Sequence, residues 1–178
     1  MSCVAAIVND GKIWMAADGL ASTEDGCIRP ANCTKIFTNG DYTIGFIGSV
    51  RGGQILYPKY FAPPEDIMDL PDAIKEQCEL KGCLAYTEQQ THVMGSNYLV
   101  GYRGKLYEIL VDFQMVEVPD YSSIGSGSYY AYASLFTTKD MVDIGPEKRL
   151  EYAIKSAIEY DAACGLPIQM VRIMPEKN

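Results

Sequence analysis

The chain is poor in histidine, in tryptophan and in long apolar runs. Its 178 residues include one His and one Trp, which leaves little room for a His-based triad or a multi-histidine metal site. The single histidine, His92, follows Gln90 and Thr91 in what reads as a polar connection, and is expected to be a surface residue. No apolar stretch reaches the roughly eighteen residues that a membrane-spanning helix needs, and the first residues lack the basic segment of a secretory signal. A soluble, cytoplasmic protein is expected. Basic residues are outnumbered, 15 Lys and Arg against 23 Asp and Glu for a net charge of -8. They are also scattered, which argues against nucleic acid as a partner. Six cysteines (Cys3, Cys27, Cys33, Cys78, Cys83, Cys164) form no C-x-x-C pair, so reduced thiols are expected rather than a disulfide or metal framework.

What the chain does have is a composition about half apolar (48%), enough for one domain spanning residues 1–178 to bury a core of its own. Ser2 to Val8 is small and apolar, "NDG" is a tight-turn signal, and "KIWMAAD" resumes the apolar run, which predicts a hairpin. "KIFTNGDYTIGFIGS" predicts a second hairpin turning at Asn39-Gly40-Asp41. Two helices follow, a short one ending near Pro58 and one over "PPEDIMDLPDAIKEQCELKG" that stops at Gly82. "NYLVGYRGKLYEILVDFQMVEVP" holds two or three strands, and "YSSIGSGS" runs into a helix "YYAYASLFTT". A helix carrying Leu150, Ala153, Ile154, Ala157 and Ile158 at helical spacing runs toward Gly165, and "PIQMVRIM" is a last strand. The order lacks Rossmann-type alternation, linkers and repeats, and favours an α+β domain of two sheets flanked by helices.

The opening "MSC" sets the chemical question. A serine hydroxyl is a poor nucleophile at neutral pH and needs a base, a cation that favours the base's neutral form, and donors for an oxyanion. With histidine almost absent, one base remains at hand: the α-amine of Ser2 itself, if Met1 is removed, since a free amine titrates at about 7.7 to 8.0. A small second residue such as Ser permits that removal.

Several separated pieces resemble the N-terminal-nucleophile hydrolases of the proteasome β-subunit type, including bacterial and phage proteasome-like peptidases. "AAD" closing the second strand places Asp18 where the family has its acid, and "CTKIF" supplies Lys35 for the family lysine. "GFIGS" is similar to the strand end whose glycine N–H, here Gly48, receives the oxyanion, with the dipole of a following helix behind it. "IGSGSYYAY" resembles the glycine-serine-glycine helix start with Ser126, and "YDAACG" the D-x-x-S-G segment, with Asp161 and Gly165 in register and Cys164 in place of serine.

The resemblance implies a four-layer α/β/β/α sandwich, hydrolysis of an amide bond in a peptide or other substrate, and a homo-oligomeric ring or stack. It implies no metal and no cofactor, and leaves an ATPase partner open. In that scheme Ser2 attacks, Lys35 held by Asp18 tunes the hydroxyl and amine, and Ser126, Asp161 and Cys164 orient the amine. Ala21, Phe46 and Val50 border the pocket for the residue before the scissile bond. Two alternatives stand beside it: a non-catalytic subunit that keeps Met1, and a Cys-dependent amidase using Cys3. Strand alternation points Cys3 away from Ser2 and reads it as a buried thiol. Tyr129, Tyr130 and Tyr132 read as interhelix packing or a subunit contact.

Overall fold

The structure is a computed structural model and describes residues 2–22, 28–30, 34–86 and 92–173. Met1, Cys27, Cys33, Gln90 and Thr91 lie outside the described residues.

The elements in chain order are β1 (Cys3–Asn9), β2 (Lys12–Ala17), β3 (Leu20–Ser22), β4 (Ile28–Pro30), β5 (Ile36–Asn39), β6 (Tyr42–Gly48), α1 (Val50–Gln54), a 3-10 turn (Ile67–Asp69) and α2 (Leu70–Leu80). They continue with β7 (Leu84–Tyr86), β8 (His92–Met94), β9 (Ser96–Tyr102), β10 (Lys105–Ile109), β11 (Met115–Val118), β12 (Tyr121–Gly125), α3 (Ser128–Thr138), α4 (Pro146–Tyr160) and β13 (Gln169–Ile173). Two antiparallel sheets carry the fold. One has the order β12-β1-β2-β13 and the other β11-β10-β9-β6-β5.

The two N-terminal hairpins therefore part company: β1 and β2 build one sheet, β5 and β6 the other. Three apolar layers hold the stack together. Cys3, Ala5 and Ala16 on one sheet meet Leu135, Ala153 and Ala157 of α3 and α4. Val4, Ala6, Met15, Leu99, Leu106 and Ile124 fill the space between the sheets. Phe46, Ile55, Ile74, Cys78 and Tyr98 lie between the second sheet and α1 and α2. The result is the expected α/β/β/α order. Strand β1 is buried on both faces, which is why its sequence reads as an unbroken apolar run with no alternation. Its alanines let the helices approach closely.

Three local expectations change. His92 opens strand β8, opposite Tyr86, and is not in a connection. "YSSIG" is a strand, β12, paired along β1 from Cys3↔Gly125 to Ile7↔Tyr121. Its serines are buried and lack the usual strand propensity, but they find partners: Ser123 Oγ donates to the Val4 carbonyl at 3.1 Å and Ser122 Oγ to Glu108 at 3.0 Å. The last long helix ends at Tyr160, well before Gly165, because Asp161 turns extended and its carboxylate captures the Ala163 N–H at 2.9 Å. No helix among the described residues is long and apolar enough to cross a membrane.

Leu106 sits fully buried between the sheets. Leu106→Ala is expected to cost about 2 to 5 kcal/mol, the range for truncating a large core side chain. Urea unfolding checks this: the midpoint falls while the slope is unchanged.

Candidate active site

Strand β1 begins beside the end of β2, and the hairpin geometry brings Asp18 back to the chain's start. The Asp18 N–H donates to the Cys3 carbonyl at 3.1 Å, and the Cys3 N–H donates to Asp18 Oδ1 at 2.9 Å. The same oxygen receives the Lys35 ammonium at 2.6 Å. Asp18 Oδ2 accepts the N–H groups of Leu20 at 3.0 Å and Gly165 at 3.2 Å. Asp18 is 0% exposed and Lys35 4%, so this is an ion pair out of water whose acceptor positions are filled by donors from four chain segments. Lys35 is placed by its own backbone: its N–H donates to Gln169 Oε1 at 2.8 Å, and its carbonyl accepts from Phe46 at 3.0 Å.

Ser2 is nearly buried, at 6% exposed, and lines a cleft of about 460 Å3 together with Gly48, Gly125 and Ser126. Its carbonyl is approached by the Gly127 N–H at 3.4 Å and by Ser126 Oγ at 3.5 Å. The Ser126 hydroxyl also lies near enough to the Asp161 carboxylate to favour its charged form. With a single proton to give, it donates to one acceptor at a time, and the carboxylate is the stronger. Burial opposes ionisation of Asp161, but hydrogen bonds from Ser126, the Ala163 N–H and the Cys164 thiol outweigh it and hold the carboxyl below its ordinary value. The Cys164 contact, Sγ to Asp161 Oδ2, is long at 3.6 Å, as expected of a weak thiol donor.

Two glycines shape the cleft by what they lack. Gly48 has φ +89°, and a Cβ there would fall 2.2 Å from the Gly95 carbonyl oxygen. Gly125 has φ +105°, with a Cβ 2.0 Å from the Ser2 carbonyl oxygen. No side chain fits at either position without moving backbone.

Other sequence expectations fare unevenly. Cys3 is 0% exposed, faces α3 and α4, and desolvation pushes its thiol up to about 12. It is a packed thiol in this structure, on the face away from Ser2. Cys164 is likewise raised, by desolvation first and then by Asp18. The helix after Gly48 is only five residues long, Val50–Gln54, with Ser49 Oγ accepting from Gly52 at 3.3 Å. It sums few peptide dipoles, so a substantial helix field behind Gly48 is not present. Ala21 is half-buried and Val50 exposed, whereas Phe46 is buried with its ring against Gly53, in the core beneath α1. The sequence reading did not single out Asn97, Glu108 or Gln169. A signal existed for Glu108, a charged residue two positions after the inward-facing Leu106 on a strand.

The fold has close relatives of known structure. BPH of Thiobacillus denitrificans superposes with a TM-score of 0.83 at 22% identity, covering 99% of this chain and 100% of that one. Its complex with epoxomicin gives 0.80 at 24%, covering 98% and 100%. The eukaryotic HslV from Trypanosoma brucei gives 0.69 at 17%, covering 96% and 98%. No protein-family model and no curated sequence matches. The chain has the proteasome-like N-terminal-nucleophile hydrolase fold.

Removing one partner of a buried pair strands the other. Asp18→Ala is expected to cost about 3 to 5 kcal/mol, because it leaves the Lys35 ammonium without its carboxylate. Lys35→Met is expected to cost less, since three backbone N–H donors still hold Asp18; chemical denaturation of the two variants gives the order. Ser126→Ala should raise the Asp161 carboxyl toward its usual range, read by carboxyl-carbon NMR titration. A carboxyl depressed in the folded state stabilises above its unfolded pKa of about 3.9 and loses that contribution as pH falls through the folded value. Wild type should therefore be the more stable at pH 7, by a few tenths of a kcal/mol given the exposure of Asp161, and the two should converge in acid.

Proposed function

We propose that this protein is an amide-bond hydrolase, an endopeptidase of the proteasome-like type acting as a single domain, with Ser2 as its N-terminal nucleophile once Met1 is removed. The observation that carries this reading is the buried Lys35–Asp18 pair tied by hydrogen bonds to Cys3, the residue next to Ser2. A buried ion pair is often no more stable than a hydrophobic pair of like volume, so keeping one points to a purpose that a hydrophobic pair would not serve. Fixing a cation on the carboxylate that holds the Cys3 N–H, one residue after Ser2, is such a purpose.

In the proposed reaction Ser2 Oγ attacks the carbonyl carbon while its proton passes to the Ser2 α-amine, directly or through a water. The oxyanion that forms accepts the Gly48 N–H. Collapse of this intermediate breaks the C–N bond, and the proton held by the amine goes to the leaving nitrogen. Water then attacks the ester on Ser2, with the amine as base, and releases the acid. Lys35 lowers the proton affinity of hydroxyl and amine, and Ser126 and Asp161 orient the amine. Ala21 and Val50 are assigned to the border of the pocket for the residue before the scissile bond, while Phe46 packs beneath α1 in the core.

A homo-oligomer in the cytoplasm belongs to the same reading. Tyr129, Phe136 and Tyr160 on α3 and α4 are 83%, 61% and 70% exposed, on a face with a groove of about 630 Å3 between the two helices. Tyr130 and Tyr160 pack across them, ring centroids 5.7 Å apart. Aromatics left exposed on this scale suit a subunit contact.

Two measurements on the purified protein test the proposal. Intact mass should show loss of Met1, and epoxomicin should leave a covalent adduct that maps to Ser2 and is absent from Ser2→Ala. Peptide hydrolysis should drop at least a thousandfold in Ser2→Ala. A protein that retains Met1 and takes no adduct is the non-catalytic subunit instead.

A further inference from the structure

The space between the two sheets is apolar in its depth and polar at one end. Along β9 and β10 the residues facing the opposite sheet alternate as Asn97 and Leu99, and as Leu106 and Glu108. Leu99 and Leu106 close the core. Asn97 and Glu108 instead line the cleft that holds Ser2. Glu108 is the one ionisable side chain among the described residues lining it.

Its carboxylate is held in place. Ser122 Oγ donates to Glu108 Oε2 at 3.0 Å, and the Tyr132 hydroxyl lies 2.7 Å from Ser122 Oγ, so a relay from α3 fixes the carboxylate from behind. Asn97 Oδ1, on the same wall, is buried and has no hydrogen-bond partner among the described residues. A buried acceptor without a donor costs free energy until one arrives. The cleft thus offers a carboxylate held in place, an unpaired acceptor in its wall and, the Ser2 α-amine apart, no basic group among the described residues lining it; it is about 460 Å3 in volume and open beside Ser2.

We propose that this cleft is a recognition subsite for the cationic side chain of a substrate lysine or arginine, with Glu108 as counter-charge and Asn97 Oδ1 as second acceptor. It deepens the amide-hydrolase reading and rests on it for which bond is cut, though not for binding of the cation. Ammonium and guanidinium groups carry several donors and can satisfy both acceptors at once. Partial burial strengthens the charge pair relative to one on the open surface. A neutral side chain of equal length would leave Asn97 Oδ1 unsatisfied and Glu108 without a counter-charge.

The test separates binding from cleavage. Full-length protein is titrated with N-acetyl-lysine methylamide and with N-acetyl-norleucine methylamide, followed by amide NMR shifts. The lysine compound is expected to bind at least tenfold more tightly, to shift signals around Asn97 and Glu108, and to weaken as salt is raised. Glu108→Gln, nearly isosteric, should erase the tenfold preference, and Asn97→Leu should reduce it several-fold. Circular dichroism establishes that each variant is folded, and Glu108→Asp, which keeps the charge, should retain part of the preference. Equal affinities, no binding of the lysine compound at tens of millimolar, or a preference that survives Glu108→Gln would overturn the proposal.

Hydrolysis is read on matched peptides with lysine or norleucine on either side of the scissile bond. The kcat/KM ratio should favour lysine on one side and collapse in Glu108→Gln. Ser2→Ala should lose cleavage yet keep binding of the lysine compound. Lysine binding with no peptide cut would sustain the subsite and sink the hydrolase reading. Cleavage without any preference for lysine would do the reverse.

Discussion

The Asp18 carboxylate is the junction on which this end of the molecule depends. Four donors from four stretches of chain converge on two oxygens: the start of β1 through Cys3, the start of β3 through Leu20, the side chain of Lys35 before β5, and the loop after α4 through Gly165. None of these stretches is adjacent to all the others in sequence. A carboxylate removed from water must be satisfied or neutralised, and here it is satisfied by groups that fix where each stretch lies. The first sheet, the second sheet and the last loop are registered at this point by charge and geometry, where apolar packing alone would allow sliding.

The polar end of the sandwich follows from that junction. Two sheets packed face to face bury apolar side chains between them, as Val4, Ala6, Leu99 and Leu106 do. At the end where Asp18 and Lys35 hold the strands, the same inward-facing positions become Ser2, Asn97 and Glu108. The sheets cannot close over polar groups without desolvating them, so a cleft remains. Gly48 and Gly125 keep the backbone near its floor free of side chains, and Ser122 ties Glu108 to the rim. Stability and an open cleft thus come from one arrangement: what prevents closure of the core is what leaves the space beside Ser2.

Much of this was legible in the sequence, and the reasons differ by residue. The hairpins, the helix bounded by Pro71 and Gly82 and the periodic α4 rest on local chemistry, which a single sequence carries. The Asp18–Lys35 pairing became readable only when separated motifs were taken in order, because each alone is commonplace. The partition of the two N-terminal hairpins into different sheets depends on contacts with β9 and β12 far along the chain, and no local pattern reports it. Strand β12 was missed since Ser122 and Ser123 look like loop residues; their hydroxyls find partners only in the folded sheet. Phe46 shows the limit in the other direction. Its position in a motif suggests a pocket border, while its burial against Gly53 gives it a structural duty that the motif does not express.

That Cys164, in the loop after α4, offers Asp161 a thiol has a consequence set by bond strength. A thiol 3.6 Å from a carboxylate contributes less than a hydroxyl would, so it is chiefly Ser126 and the Ala163 N–H that hold the Asp161 carboxyl below its ordinary value against burial. Ser126 is the same group that approaches the Ser2 carbonyl, at 3.5 Å. Its one proton cannot serve both acceptors at full strength, and the ionised carboxylate has the greater claim. Whatever weakens Asp161's other donors therefore draws the Ser126 proton further from Ser2. In this chain the Ser126 hydroxyl thus lies between the start of β1 and the carboxylate that follows α4, with the Cys164 thiol as the weakest of that carboxylate's donors.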